Sequence, residues 1–340
     1  MVSLAVKYRP KEFNDVSGQS YTIKILENQI NTKQIKNGYL FCGASGCGKT
    51  TIARIFADKV NNGKGIPIEL DAASNGGIDN IRQLITEAGF KSLDSEYKVY
   101  IIDECHVISS TSFQVFLKTL EEPPEKTIFI LCTTDPQKVP LTIQNRLQRF
   151  DFLRMDLETI EKRLFYILKK EGMENNISKD AVKYIAKTAH GGMRDAITNM
   201  DKVLSLYNDK KITIENVLNI LQLSDYDILL NILLNIKTDM SETLKIINDA
   251  FLQGKDLKLL INQMIEFGLE IIKGDLIGFE NTEIPNIYHK DIKDKINNSI
   301  WLKELLNRLI DLKYKIQYEG FCKPYIEAFV ISEYYNVNRQ

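Results

Sequence analysis

The sequence is short of most features that would assign it to a class at sight. None of its apolar runs approaches the roughly 18 uninterrupted residues a membrane span needs. The start, Met1-Val-Ser-Leu-Ala-Val-Lys7, holds too few apolar residues for a secretory signal. The expectation is a cytoplasmic chain with no membrane partner. Cysteine is scarce: Cys42, Cys47, Cys105, Cys132 and Cys322 include no C-x-x-C pair, which argues against a zinc ribbon or a thioredoxin-type site. Their odd number and apolar neighbours read as reduced, buried thiols. Excess charge is missing too. With 44 basic and 45 acidic residues the formal net charge is −1, which excludes a broadly basic coat for nucleic acid. Any DNA contact must then come from a local basic strip or from helix N-termini. There are no internal repeats and no Pro-rich linkers.

What is present is an ordinary globular composition, 44% hydrophobic and 26% charged over 340 residues, enough for two or three cores. Up to about residue 152, short apolar runs alternate with helical patterns, the signature of a parallel sheet with crossover helices. The strand candidates are Gly38–Cys42, Pro67–Leu70, Lys98–Ile102, Thr127–Thr133 and the shorter Phe150–Phe152; helices are expected over Thr50–Val60, Ile78–Glu87 and Ser112–Leu120. After Asp156 the strand signal fades. Helical patterns at Leu157–Lys170 and Lys179–Thr188 precede a Gly191-Gly192 break, and another helix follows from Arg194. A third, helical region carries Leu302, Leu305, Leu306, Leu309, Leu312 and Ile316 at three- and four-residue spacing, which is one buried helix face. The reading is α/β followed by all-α: a core over 1–152, a small helical domain over 153–223 and a third helical domain over 224–340.

Two motifs carry chemistry. Gly43-Ala-Ser-Gly-Cys-Gly48-Lys49-Thr50 matches G-x-x-x-x-G-K-[ST] between a strand and a helix. Glycines at these places let the backbone curl so that its N–H groups face inward and cradle phosphates, and the next helix adds its positive end. The cradle thus takes in Gly43, Ala44, Ser45, Gly46, Cys47, Gly48, Lys49, Thr50 and Thr51. Lys49 supplies charge to the β- and γ-phosphates, and the Thr50 hydroxyl is a ligand for Mg²⁺. The second motif, Val99-Tyr-Ile-Ile-Asp103-Glu104, is an apolar strand ending in two carboxylates. Asp103 suits the metal shell, and Glu104 suits polarisation of an attacking water. Together they point to ATP hydrolysis.

Further stretches make the chain resemble a family. Val6-Lys-Tyr-Arg-Pro10 with Phe13-Asn-Asp-Val-Ser-Gly-Gln19 is similar to the N-terminal signature of AAA+ clamp-loader ATPases, the bacterial DNA polymerase III gamma/tau family and, more distantly, the small subunits of replication factor C. Ala72-Ala-Ser-Asn-Gly-Gly-Ile-Asp-Asn-Ile-Arg82, Asp103-Glu-Cys-His106, Leu117-Lys-Thr-Leu-Glu-Glu-Pro-Pro-Glu125 and Thr133-Thr-Asp-Pro-Gln-Lys-Val-Pro140 match in order.

The resemblance implies an AAA+ core, a helical lid and an oligomerising collar. It further implies a role in opening a sliding clamp and loading it on primer-template DNA beside other loader subunits, in a pentamer. It assigns Tyr8, Arg9, Pro10 and Val16 to adenine and ribose, and Thr134 to the sensor 1 position. Arg194 becomes the sensor 2 arginine, and Arg146 an arginine reaching a neighbour's ATP. For DNA it suggests Arg82 first, then the helix start at Ser109 and Ser112. The sequence departs from the family in several places, among them the loop Ile108-Ser-Ser-Thr-Ser112, which lacks a basic residue that some relatives carry. Between Asp58 and Pro67 the four-cysteine zinc module has no counterpart, so no zinc is expected, and Arg146 lies in Asn145-Arg-Leu147 rather than Ser-Arg-Cys. Two competing readings stand beside this one. A branch-migration type of AAA+ motor is disfavoured by the helical third region. A non-catalytic loader scaffold is disfavoured by intact Lys49, Thr50, Asp103 and Glu104.

Overall fold

The computed structural model describes residues 2–205, 211–221, 226–282, 284, 286–296 and 299–337; the expected lid–collar boundary at 223/224 lies outside the described residues. The chain divides into two compact units, Met1–Thr213 and Ile214–Gln340.

The first unit is built on five strands, β1 (Gly38–Gly43), β2 (Ile68–Asp71), β3 (Lys98–Asp103), β4 (Thr127–Thr133) and β5 (Gln148–Phe152), in the order β2-β3-β4-β1-β5. Every neighbouring pair is parallel. All seven residues of β4 are buried, as a central strand covered on both faces demands. Around the sheet lie α1 (Leu4–Lys7), α2 (Ser20–Asn31), α3 (Lys49–Val60), α4 (Ala72–Asn75), α5 (Ile78–Ala88), α6 (Ser110–Glu121) and α7 (Leu141–Gln144).

Side chains alternate across a strand, so one set of residues feeds each face. Tyr39, Phe41, Val99, Ile101, Ile128 and Ile130 pack with Leu26 of α2 and with Ile52 and Phe56 of α3. Leu40, Tyr100, Ile102, Phe129 and Leu131 pack with Ile81 of α5 and with Phe113 and Phe116 of α6. The result is a three-layer α/β/α sandwich. The sheet order brings the C-terminal ends of β3, β4 and β1 side by side, and in such sheets that edge is where ligands bind.

Three helices complete the unit: α8 (Leu157–Glu171), α9 (Lys179–Thr188) and α10 (Met193–Ser205). Asp156 caps α8 by accepting from Thr159 N, Ser178 caps α9 by accepting from Ala181 N, and Gly172 closes α8 in the left-handed region at φ 69°.

The second unit is helical throughout its described residues: α11 (Ile214–Ile220), α12 (Tyr226–Asn235), α13 (Met240–Leu252), α14 (Leu257–Ile277), α15 (Asn286–Lys295), α16 (Ser299–Ile316) and α17 (Lys323–Val337). The leucine stripe of α16 is buried as its spacing requires, with Leu302, Leu305 and Leu309 at 0% exposure. Glu333 of α17, 2% exposed, is neutralised by a two-pronged bond from Arg308, 2.6 and 2.8 Å. Among the described residues of both units, no helix is long and apolar enough to cross a membrane.

Candidate active site

The β1–α3 turn forms the floor. Gly46 and Gly48 hold φ of 73° and 104°, values a side-chain-bearing residue adopts only at a cost. A Cβ on Gly46 would also press on Gly192 Cα at 3.2 Å. The N-terminus of α3 begins at Gly48 with no side-chain cap, so its first N–H groups are left for an anion. Lys49 is only 6% exposed and donates to the carbonyls of Gly43 (2.7 Å) and Ala44 (2.9 Å). An ammonium has three N–H donors, which leaves one for a phosphate oxygen. Cys47 turns inward, 1% exposed, with its Sγ on Ala44 O. Burial pushes its thiol above the ordinary value, so in this loop it is packing and only its backbone belongs to the cradle.

The ends of β3 and β4 form the wall. Thr50 Oγ1 donates to Asp103 Oδ2 at 2.7 Å. A hydroxyl and a carboxylate this close form one side of an oxygen site for a hard divalent cation. Glu104 N donates to Asp103 Oδ1 at 3.0 Å, and Glu104 Oε2 accepts from Thr134 Oγ1 at 3.0 Å. Glu104 itself sits in the left-handed region at φ 48°, ψ 41°, a strain of about 1–2 kcal/mol for a non-glycine residue. It re-aims the carboxylate off the strand end.

The N-terminal segment and α8–α10 form the roof. Tyr8, Arg9, Pro10 and Val16 line the same cleft as Ser45, Gly46, Gly48, Lys49, Thr50, Thr51 and Arg194, a cavity of about 150 Å³. Gly43, Ala44 and Thr134 line an adjoining hollow with Glu104 and Arg154. The backbone ties α10 to the floor, since Met193 N donates to Gly46 O at 3.1 Å. Arg194, in the first turn of α10, is exposed and lines the cleft. Among the described residues its guanidinium makes no hydrogen bond or ion pair.

Arg146 lies elsewhere. It is bound to Glu121 (2.5 Å) and to Thr142 O (2.7 Å) beside a hollow lined by Asn37, Asn145 and Gln148. Arg82 is exposed on α5 with Asp79 at 3.6 Å. Ser109 caps α6 by accepting from Ser112 N. Ser112, expected among the DNA contacts, does not fit that role. Ser112 is 0% exposed and its hydroxyl bonds Ser109 Oγ at 2.9 Å, so it closes the cap and offers nothing to a ligand.

Several residues of the site carry no sequence motif. Arg163 of α8 lines the cleft and donates to Tyr8 O at 2.9 Å. Glu171 accepts from Lys7 Nζ at 2.6 Å and from the Tyr8 hydroxyl. Those bonds, Lys7 first, hold its carboxyl below the usual range. Gln19 reaches Cys47 O at 3.3 Å and Leu153 O at 2.6 Å. Lys7 and Gln19 fall inside stretches that carry the family resemblance, and Arg163 inside an expected helix, but no motif marked Arg163 or Glu171 as part of the site.

Residues 66–156 match the family model described as DNA polymerase III, delta subunit. Residues 159–206 match that of the DNA polymerase III clamp loader subunit, ATPase lid domain. DNA polymerase III subunit tau of Bacillus subtilis is 39% identical over 280 residues, 76% of this chain and 49% of that one. Subunit tau of Escherichia coli is 34% identical, over 77% and 44%. The chain thus spans about half the length of these relatives. Subunit gamma of Buchnera aphidicola subsp. Acyrthosiphon pisum is 32% identical over 320 residues, 87% of this chain and 86% of that one. Among solved structures, the Thermotoga maritima RuvB Holliday junction branch migration motor superposes with a TM-score of 0.52 at 19% identity, covering 82% of each chain. At that identity the likeness speaks for the fold alone, an α/β P-loop core of the AAA+ kind. On the identity to the Buchnera subunit and the extent of it, the chain belongs to the DNA polymerase III gamma/tau family of clamp-loader subunits.

Proposed function

We propose that this chain is an ATP-hydrolysing subunit of a sliding-clamp loader. The observation that carries the reading is the convergence of Lys49, Thr50, Asp103, Glu104 and Thr134 at three adjacent strand ends, in a chain whose relatives are polymerase III gamma and tau subunits. Tyr8, Arg9, Pro10 and Val16 take the base and ribose of ATP. The loop N–H groups and Lys49 take its phosphates, and Arg194 takes the γ-phosphate from the lid. The Thr50 hydroxyl and Asp103 hold Mg²⁺, which when bound neutralises charge on the phosphates. Glu104 accepts a proton from the attacking water, and Thr134 orients that water or the γ-phosphate. Arg146 serves a neighbouring subunit's site.

In this reading residues 1–152 are the motor, 153–223 the lid and 224–340 the collar of a pentamer. No zinc enters the fold. Arg82 and the α6 start at Ser109 face the phosphates of primer-template DNA, and the work is cytoplasmic. The fold likeness to a branch-migration motor does not favour that function, because the described residues of 214–340 hold helices and no strand.

The test is steady-state ATPase of the purified chain, adding primer-template DNA, clamp and partner loader subunits in turn. Stimulation by clamp and primed DNA together, lost in Arg146→Ala only when the subunits are assembled, is the expected result. Activity indifferent to the clamp but driven by branched DNA would refute it.

A further inference from the structure

One side chain stands behind the Glu104 carboxylate, outside the lining of the cleft. His106 lies in the 3₁₀ turn Cys105–Val107 that follows β3, two residues beyond Glu104. Its Nδ1 stands 3.3 Å from Glu104 Oε2 and 3.2 Å from Thr133 Oγ1. Thr133 is fully buried at the end of β4, and its Oγ1 already accepts from Asp135 N at 3.0 Å. The imidazole is therefore anchored to the strand that carries Thr134.

The hydrogen-bond network assigns the tautomer. A bare lone pair on Nδ1 would face a carboxylate oxygen at 3.3 Å and be repelled, whereas a proton there attracts both Glu104 Oε2 and Thr133 Oγ1. Nδ1 thus carries the hydrogen. A second feature gives this a direction. Thr134 Oγ1 donates to the same oxygen, Oε2, and among the described residues no donor lies within hydrogen-bond reach of Oε1. Two donors on one oxygen leave the other with its lone pairs open, and a general base needs one oxygen held and the other free.

We propose that His106 is a positioning residue. Through Nδ1–H it fixes the Glu104 carboxylate by Oε2, so that Oε1 is presented to the attacking water. The inference rests on the reading of Glu104 as the base. It predicts an effect on kcat and none on nucleotide binding, since His106 does not line the nucleotide cleft.

The experiment compares four variants of the full chain, His106→Leu, His106→Asn, Glu104→Gln and the double His106→Leu/Glu104→Gln. Each is assayed for kcat, for the Kd of a fluorescent ATP analogue and for melting temperature. His106→Leu is expected to lower kcat about tenfold, a part of the 10²–10⁴ that a general base supplies. Its Kd should stay within about twofold of wild type. His106→Asn, which keeps an N–H near the place of Nδ1, recovers most of the loss, and the double variant is no slower than Glu104→Gln alone.

A His106→Leu kcat within twofold of wild type, with Glu104→Gln inactive, overturns the inference and leaves the base reading intact. Equal losses in His106→Leu and His106→Asn with a lowered melting point also overturn it, since they make the histidine a packing residue. A Glu104→Gln variant that hydrolyses at the wild-type rate sinks the base reading itself.

Discussion

The roof of the cleft depends on one carboxylate far from the chemistry, which makes a quantitative test. Glu171, at the end of α8, joins α8 to the N-terminal segment through Lys7 and Tyr8, and Tyr8 lines the cleft. Glu171→Ala removes both bonds. The Lys7 pair is exposed, with Lys7 at 53% and Glu171 at 20%, so salt screens it and it contributes about 0–1 kcal/mol. The Tyr8 bond is part-buried, and a typical net hydrogen bond contributes about 0.5–1.5 kcal/mol. The segment keeps two further ties, Arg163 to Tyr8 O and Leu4 N to Asp201, both 2.9 Å. The upper limit is therefore about 2.5 kcal/mol, or about a seventyfold loss of nucleotide affinity, reached only if the segment detaches completely. With the remaining ties we expect about three- to tenfold.

The assay is titration with a fluorescent ATP analogue at low and high salt, beside Tyr8→Phe and Lys7→Ala. The Lys7 part should fade as salt rises, and the Tyr8 part should persist. The sign with pH follows from the lowered Glu171 value. Its contribution is full above the ordinary carboxylate pKa, about 4.3, and is lost as pH falls through the depressed folded value. Wild type and Glu171→Ala should therefore converge in acid. Burial and then Glu171 raise the Tyr8 hydroxyl from 10.0 to about 12. On the alkaline side, that stabilisation is full below 10.0 and disappears as pH passes about 12. A Glu171→Ala variant with unchanged nucleotide affinity but kcat reduced more than tenfold would refute the reasoning, because the carboxylate would then act on the chemistry rather than on the roof.

Three further outcomes are expected. Thr50→Ala should raise the Mg²⁺ concentration for half-maximal ATPase by about tenfold or more, while Thr50→Ser, which keeps the hydroxyl facing Asp103, stays within about threefold; a metal titration decides. Arg308→Met leaves Glu333, 2% exposed, as an unpaired buried carboxylate. It should cost the second unit about 3 kcal/mol, largely restored by also replacing Glu333 with Leu, and read from the fluorescence of Trp301, the sole tryptophan, in denaturant. Alkylation near neutral pH followed by mass spectrometry should label Cys322, which is half-buried, before Cys42, Cys47, Cys105 and Cys132, which are buried. Burial pushes all five thiols up, that of Cys322 included, so the order of labelling follows accessibility.

What the sequence revealed and what it hid follow from the range of the forces involved. The central strands were legible because a doubly covered parallel strand is a near-continuous apolar run, and Thr127–Thr133 is apolar from Ile128 to Cys132. The loop from Gly43 to Thr50 was legible because its glycines answer a backbone demand within a few residues. The hidden contacts join distant segments: Arg163 lies 155 residues from Tyr8, and Gln19 lies 134 from Leu153. No periodicity encodes such a pair. The misplacement of Ser112 has a local cause. Ile108-Ser-Ser-Thr-Ser112 offers four hydroxyls, any of which can start a helix. The fold uses Ser109, so α6 begins two residues earlier than expected, and Ser112 becomes the buried partner three residues on.

The two arginines taken from the resemblance show how magnitude decides where geometry looks adverse. Arg194 lines the cleft with its guanidinium unengaged among the described residues, which suits a phosphate ligand directly. Arg146 is already engaged by Glu121 and Thr142 O, the arrangement of an ordinary surface ion pair. With the partners 35% and 45% exposed, such a pair contributes about 0–1 kcal/mol. An arginine supplied in trans to a phosphoryl transition state is worth about 10³–10⁵ in rate, or about 4–7 kcal/mol. Breaking the pair on assembly therefore takes a small fraction of what the new contact returns. The Glu121 contact consequently weighs little against a role for Arg146 at a neighbour's site.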